Sequence, residues 1–386
     1  MKILVLTFYY KPDLSAGSFR TTAFVDELQK VVDKNTQIEV ITTLPNRYHS
    51  FKQKALAFEI SGNVIIRRIK LPNHRSGMLD QSRAFIRYAF ETLRIIGNNE
   101  YDLVFATSSR LFTAFLGAMV ARKTKAKLYL DIRDIFTDTL KHVLKNRCLR
   151  LLIPVLLQIE KFTIRSANHV NLVSEGFLDY FKKVVPNQNF SFFPNGIDSE
   201  FLNYDFKKPA PTTKEIILYA GNIGEGQGLD RIVPGCAQAL NNCEFWIVGD
   251  GGTRHKLKSA LQQQNISNVR LLDPVDRVNL LKLYSQCDYL LLHLNDYPAF
   301  EKVLPSKVFE YASTGKAIIA GVAGYARDFI EKNIKGAVVF DPCNVDSFIK
   351  AFKTLPKTMV QRQEFIEKYQ RQNIAQKMAE DLLLIL

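Results

Sequence analysis

The stretch EIILYAGNIGEGQGLD, Glu215–Asp230, runs from an aliphatic strand pattern through four glycines into the start of a helix. A buried strand that feeds a glycine-rich loop and then a helix is the building unit of a parallel sheet covered by helices. The loop has Gly224, Gly226 and Gly228 at alternate positions, so it does not follow the G-x-G-x-x-G dinucleotide fingerprint, and no P-loop lysine comes after it. NAD binding and ATP hydrolysis are therefore poorly supported. The backbone amides of such a loop still suit a diphosphate.

The same alternation extends in both directions. Before it come ILVLTFYY, IEVITTL, VIIRRI, DLVFATS, KLYLDI and HVNLVS, with helical patterns near residues 19–32, 85–96, from about 111, and in a long run ending at Ala167. After it come CEFWIVGDG, NVRLLDP, YLLLHLN, AIIAGV and GAVVFDP, again with helices between. Two such series predict an α/β chain of two Rossmann-like, doubly wound parallel-sheet domains, residues 1–200 and 210–360. A Pro-, Asn- and charge-rich linker over 195–214 separates them. Residues 361–386 read as an amphipathic helix with no strand after it, free to pack back on the first domain. Ligands of doubly wound sheets bind at the carboxyl ends of strands, and two facing sheets make one cleft.

The 386 residues suffice for two full cores. Met1 leads straight into ILVLTFYY, read as a buried strand and not a secretory leader. The longest apolar stretches fall short of the ~20 residues of a membrane-spanning helix. The expected location is therefore cytoplasmic, peripheral on the inner face of the cytoplasmic membrane. The five cysteines, Cys148, Cys236, Cys243, Cys287 and Cys343, form no C-x-x-C pair, and the dispersed histidines offer no ligand set, so no metal is expected. Charge is uneven: residues 1–200 hold 29 Lys and Arg against 18 Asp and Glu, and residues 201–386 hold 23 against 20. Anionic membrane is one partner for that basic half, met through the apolar and basic segment 145–162. No zinc-finger, helix-turn-helix or RNP pattern supports nucleic acid.

Five loops carry the candidate chemistry. In FYYKPDLSAGSFRT, Gly17 and Ser18 let a ligand approach the backbone and Arg20 adds a cation. In DIRDIFTD, Asp131, Arg133 and Asp134 cluster just past a strand; each is as readily structural as substrate-facing. The glycine loop at Gly221, Asn222, Gly224 and Gln227 is the third. Gly249-Asp250-Gly251 ends a strand and borders a nucleobase in this reading. In NDYPAFEKVLPSKVFEY, Pro305 and Ser306 start a helix, Lys307 adds a cation near its amino end, and Glu310 lies one turn deeper. The bland alternative for Lys307 and Glu310 is a surface i,i+3 ion pair.

In this order, PDLSAG, DIRD, PNGID, AGNIGEGQGL, IVGDG and PSKVFEY resemble the motifs of the family-4 (GT4) glycosyltransferases of the GT-B fold, over essentially the whole chain. Residues 68–88 further resemble the branch of bacterial fucosamine-type (WbuB-like) sugar transferases of surface polysaccharide assembly. The resemblance implies retaining, metal-independent transfer from a nucleotide sugar, usually a UDP-sugar, to a lipid-linked or saccharide acceptor. It implies no cofactor besides that donor substrate. Glu310 would bind the ribose hydroxyls, and Ser306 and Lys307 would face the phosphates. Val275, Glu301, Lys302, Leu304 and Pro305 would complete the donor site with the two glycine loops, while Gly17, Ser18 and Arg20 would serve the acceptor. Asp131 or Asp134 would orient the acceptor hydroxyl or act as base. Two departures stand out: Lys302 replaces the family's second glutamate, with Glu301 one position off, and Asn222 and Gln227 replace its diphosphate Arg and Lys. A GT-B nucleotide-sugar epimerase and a non-catalytic nucleotide-sugar-binding subunit are the alternatives.

Overall fold

Uninterrupted aliphatic runs such as Lys2–Leu6 and Tyr289–His293 are buried over nearly their whole length, which is what a parallel sheet covered on both faces demands. The computed structural model describes residues 1–46, 54–72, 78–108, 111–143, 151–208 and 213–386. The chain divides into a first unit, Met1–Asn195 with Arg371–Leu386, and a second unit, Gly196–Gln370.

In the first unit, the strands are β1 (Lys2–Leu6), β2 (Gln37–Thr43), β3 (Phe58–Ser61), β4 (Val64–Ile69), β5 (Leu103–Thr107), β6 (Lys127–Ile132), β7 (His169–Leu172) and β8 (Phe190–Ser191). They form one sheet in the order β3-β4-β2-β1-β5-β6-β7-β8. All pairings are parallel except β3 with β4, a hairpin closed by Gly62 and Asn63. Neither β3 nor the two-residue β8 was legible as a strand. Helix Ala16–Val31 starts earlier than its apolar pattern, because the Ser15 hydroxyl accepts from the Ser18 amide at 3.1 Å. The long helix expected to end at Ala167 is represented by Phe136–Val143 and Ile153–Arg165; residues 144–150 between them lie outside the described residues. That gap takes in the start of the 145–162 segment and Cys148.

The core of this unit joins Ile3, Val5, Phe24, Leu28, Phe105 and Tyr129 to Met378, Ala379 and Leu382 of helix Arg371–Leu383. Burying each such large side chain contributes roughly 1.5–3 kcal/mol. The terminal region 361–386 is thus two helices: Gln363–Lys368 stays in the second unit, and Arg371–Leu383 belongs to the first.

The second unit has β9 (Glu215–Ala220), β10 (Cys243–Val248), β11 (Val269–Leu272), β12 (Tyr289–His293), β13 (Ala317–Gly321) and β14 (Ala337–Phe340), all parallel, in the order β11-β10-β9-β12-β13-β14. From Gly196 onward the described part of the expected linker belongs here, with helix Ser199–Leu202 burying Phe201. From β9 the chain winds one way through β10 and β11, then returns to the other side of β9 for β12, β13 and β14. The order therefore reverses between β9 and β12, where a doubly wound sheet opens a crevice at its carboxyl ends. In the first unit the reversal lies between β1 and β5.

Candidate active site

In the second unit, the loop leaving β9 is fastened to the loop leaving β10. The Gly221 amide donates to the Val248 carbonyl at 2.8 Å and the Ile223 amide to the Asp250 carbonyl at 2.9 Å. Gly249-Asp250-Gly251 thus lies against the glycine loop. A depression of about 440 Å³ beside it is lined by Asp250, Gly251, Arg254, His255, Lys258 and Leu271. A roomier hollow of about 760 Å³ lies elsewhere, around Lys208, Trp246 and Arg270. There Arg270 is paired with Glu244 and Lys208 with Asp288, both at 2.7 Å, as Arg254 of the smaller depression is with Asp273 at 2.8 Å.

Gly221 has φ of 144°, a conformation that disfavours other residues, and a Cβ on it would overlap the end of the Lys307 side chain. The Lys307 ammonium stands 5.1 Å from the centre of the Tyr219 ring. Asn222 and Gln227, the two neutral replacements in this loop, bind one another: Asn222 Nδ2 donates to Gln227 Oε1 at 2.7 Å, and the Gly224 amide reaches the same oxygen at 3.3 Å. The loop therefore satisfies part of its own donor set. Gly228 opens helix Leu229–Ala239 in the left-handed conformation.

His293 and Asn295, at the end of β12, hold this loop from its other side and were not singled out from the sequence. His293 Nδ1 meets the Gln227 carbonyl at 2.6 Å, and Nε2 accepts from the Cys343 amide at 3.0 Å. This pattern requires a neutral imidazole, and burial pushes its pKa down to about 4. The Asn295 amide donates to the Gly226 carbonyl at 2.8 Å, and Nδ2 to the Glu225 carbonyl at 2.6 Å. Their position, just past a strand at the sheet reversal, was the available signal.

Helix Lys307–Ser313 differs from expectation at its start. The Ser306 side chain caps no amide; instead Val308 and Phe309 donate to the Pro305 and Ser306 carbonyls at 3.1 and 3.2 Å, a tight first turn. Glu310 Oε1 accepts from Arg277 at 3.2 Å, and the same guanidinium also binds Asp198 and lies 4.7 Å over Phe201. Burial works to lower the pKa of Arg277, but Glu310, Asp198 and Glu200 outweigh it and hold it above its ordinary value. Neither Arg277 nor Asp198 was picked out individually from the sequence. Leu304 is buried, Val275 half-buried in the turn after β11, and Glu301 and Lys302 close the 3-10 turn Pro298–Lys302. All these positions follow strand carboxyl ends or lead from them into the next helix.

In the first unit the expected acceptor and DIRD residues separate into two layers. Arg20 and Asp131 are 5% and 1% exposed. Arg20 Nε and Nη2 each donate to an Asp131 oxygen at 2.9 Å, and its remaining donors reach the Phe193 and Pro194 carbonyls at 2.7 Å. Asn171 adds a bond to Asp131 at 2.7 Å. Burial pushes the Asp131 pKa up, but Arg20, Arg133 and Asn171 prevail and hold the carboxyl below its ordinary value. Arg20 is thus a buried anchor for the chain leading out of β8, and not a cation offered to an acceptor. Above it, the Arg133 guanidinium lies against the α-carbon of Gly17, where a Cβ would collide. Arg133 Nε is buried without a hydrogen-bond partner among the described residues, and burial lowers its pKa to about 10. Asp134 is exposed to solvent as a residue, but the density of protein around its carboxyl pushes the pKa up, to about 6, against the pull of Arg133.

Residues 200–372 match the family model described as glycosyl transferases group 1. WcaI of Escherichia coli (strain K12), named as a colanic acid biosynthesis glycosyl transferase, is 26% identical over 244 residues. That match covers 58% of this chain and 59% of WcaI, a little over half the length of the relative. Anabaena HepE, solved in complex with UDP and glucose, has TM-score 0.63 at 15% identity over 100% of this chain and 97% of its own. The apo form of the lipopolysaccharide outer core galactosyltransferase WaaB gives 0.62 at 14% identity, over 100% and 99%. Two parallel-sheet α/β domains of this kind define the GT-B class. Within that class, residues 200–372 resemble the group 1 glycosyl transferases.

Proposed function

We propose that the protein is a retaining glycosyltransferase that moves a sugar from a nucleotide sugar, with UDP as the nucleotide, to a lipid-linked or saccharide acceptor in bacterial surface polysaccharide assembly. The observation that carries this reading is the family match over 200–372, in a segment where the glycine loop meets Lys307. The naming of WcaI for colanic acid synthesis and the UDP and glucose bound by HepE support the substrate class.

Chemically, the sugar-phosphate bond breaks as negative charge grows on the leaving diphosphate. Lys307 and the loop amides supply positive potential for that charge, and Glu310 takes the ribose hydroxyls. With Asn222 and Gln227 neutral, Lys307 carries more of the balance than a lysine would in an arginine-containing loop. In this reading no metal is needed, and the leaving phosphate takes the acceptor proton or Asp134 does so.

Membrane attachment is part of the same proposal. No described helix is long and apolar enough to cross a membrane. Helix Met78–Ile96, however, exposes Ile86 (66%), Phe90 (62%) and Leu93 (39%) along one stripe, with Arg83, Arg87 and Arg94 exposed beside it. Met119 on helix Leu111–Thr124 and Val155 on helix Ile153–Arg165 are exposed as well. An apolar stripe flanked by arginines suits an anionic lipid surface at the cytoplasmic face.

The test is incubation with a panel of labelled UDP- and GDP-sugars and a lipid extract, with and without EDTA. Transfer with retained anomeric configuration, unchanged by EDTA, is the expected result. An isomerised donor would make the protein an epimerase, and binding without turnover a non-catalytic subunit. Loss of transfer in EDTA, restored by Mg²⁺ or Mn²⁺, would overturn the metal-free reading.

A further inference from the structure

Arg277 joins two places that serve different purposes. One is Glu310, whose Oε1 it holds at 3.2 Å. The other is Asp198, two residues after the chain passes from the first unit into the second at Gly196. The return passage lies beside it, since the Ile197 amide donates to the Tyr369 carbonyl at 2.8 Å and Ile197 bridges Gln370.

The site is built to keep the guanidinium in place. The side chains of Arg277, Asp198 and Glu310 are only 16%, 12% and 14% exposed. Phe201 lies under the guanidinium and contacts Tyr284, which meets Tyr311 edge-on at 5.6 Å. Tyr311 follows Glu310 and accepts from the Ala220 amide at 3.1 Å, at the root of the glycine loop. A planar fork can serve two carboxylates at once; an ammonium in the same place is a single point charge.

We propose that Arg277 is a positioning residue for the donor nucleotide: by holding Glu310 and Asp198 together, it sets the Glu310 carboxylate for the ribose and ties nucleotide binding to the inter-unit passage. This rests on the reading of Glu310 given above. Arg277 holds Glu310 by Oε1, and in this proposal Oε2 is the oxygen that takes a ligand hydroxyl. Removing the Asp198 charge leaves the guanidinium to Glu310, where it competes with that hydroxyl. Nucleotide affinity then depends on a residue that does not touch the nucleotide.

The experiment is calorimetric titration of UDP into the wild type, Asp198→Asn, Arg277→Lys, Glu310→Gln and the double variant Asp198→Asn/Glu310→Gln, with donor KM and kcat measured in parallel. Expected are a three- to tenfold weaker UDP affinity in Asp198→Asn and in Arg277→Lys, with donor KM raised and kcat kept within about twofold. The Asp198→Asn effect is expected to vanish in the Glu310→Gln background. A merely structural role would lower the melting temperature of Asp198→Asn and leave its UDP affinity unchanged. Affinities of Asp198→Asn and Arg277→Lys within twofold of wild type, beside a tenfold loss in Glu310→Gln, would overturn the positioning role and spare the ribose reading. A Glu310→Gln affinity within twofold of wild type would overturn both.

Discussion

The end of the Lys307 side chain lies against the α-carbon of Gly221, close enough that a Cβ on that glycine would have to displace it. Gly221→Ala is therefore expected to displace the ammonium and to strain a backbone at φ 144°, costing about 1–3 kcal/mol of stability. Turnover is expected to fall at least tenfold, and adding Lys307→Ala to Gly221→Ala to lower kcat little further. Additive losses in steady-state kinetics would separate the two residues.

Asp131 and Asp134, alike in sequence, are expected to respond in opposite ways. Asp131→Ala leaves Arg20 buried without its partner, a loss of about 3–5 kcal/mol measurable by urea unfolding. Because the folded pKa of Asp131 is depressed, its contribution is present above the ordinary carboxylate pKa and is lost as pH falls through the lower folded value. Asp134→Asn is expected to leave stability nearly unchanged and to remove an acid limb near pH 6 from the kcat/KM profile. An unaltered profile in Asp134→Asn would exclude it as the base.

His293 gives a pH dependence of stability with a definite sign. Its folded pKa, about 4, is below the unfolded value near 6.5, so between these pH values the unfolded chain binds the proton. Stability is then highest above pH 6.5 and declines as pH falls toward 4, by on the order of 3 kcal/mol at most. Urea unfolding at pH 7.5 and 5 is expected to show this slope in the wild type and a reduced one in His293→Gln. Equal slopes would place the titration elsewhere.

The exposed stripe on Met78–Ile96 is expected to bring the protein down with anionic vesicles, in a salt-sensitive way, since each basic residue near such a surface contributes roughly 1 kcal/mol. Phe90→Glu is expected to weaken that binding without altering the fold. Equal sedimentation with phosphatidylcholine and with phosphatidylglycerol-containing vesicles would remove the membrane from the proposal.

The strands of the second unit were legible because a strand buried on both faces needs a continuous apolar run, a local property. The terminal helix was legible as one amphipathic segment; that it divides after Gln370 follows from which core each half meets, Phe309 and Phe329 for Phe365 in one unit and Tyr129 near Asp381 in the other. β3 escaped notice because its pattern, with Phe58, Glu59 and Ile60 at an exposed sheet edge, has no buried face to enforce alternation.

For the site, the sequence by itself determined the order of the loops, their place after strands, and the three-residue spacing of Lys307 and Glu310. It could not determine what each charge faces, because an ion pair depends on distance in space and on burial, and neither is encoded by nearness along the chain. Arg20 finds Asp131 across 111 positions and Arg277 finds Glu310 across 33. Once Arg20 is enclosed, its donors must be satisfied within the protein. Only the tertiary structure turns that arginine inward, sets Asn222 against Gln227, and leaves Lys307 on the glycine loop.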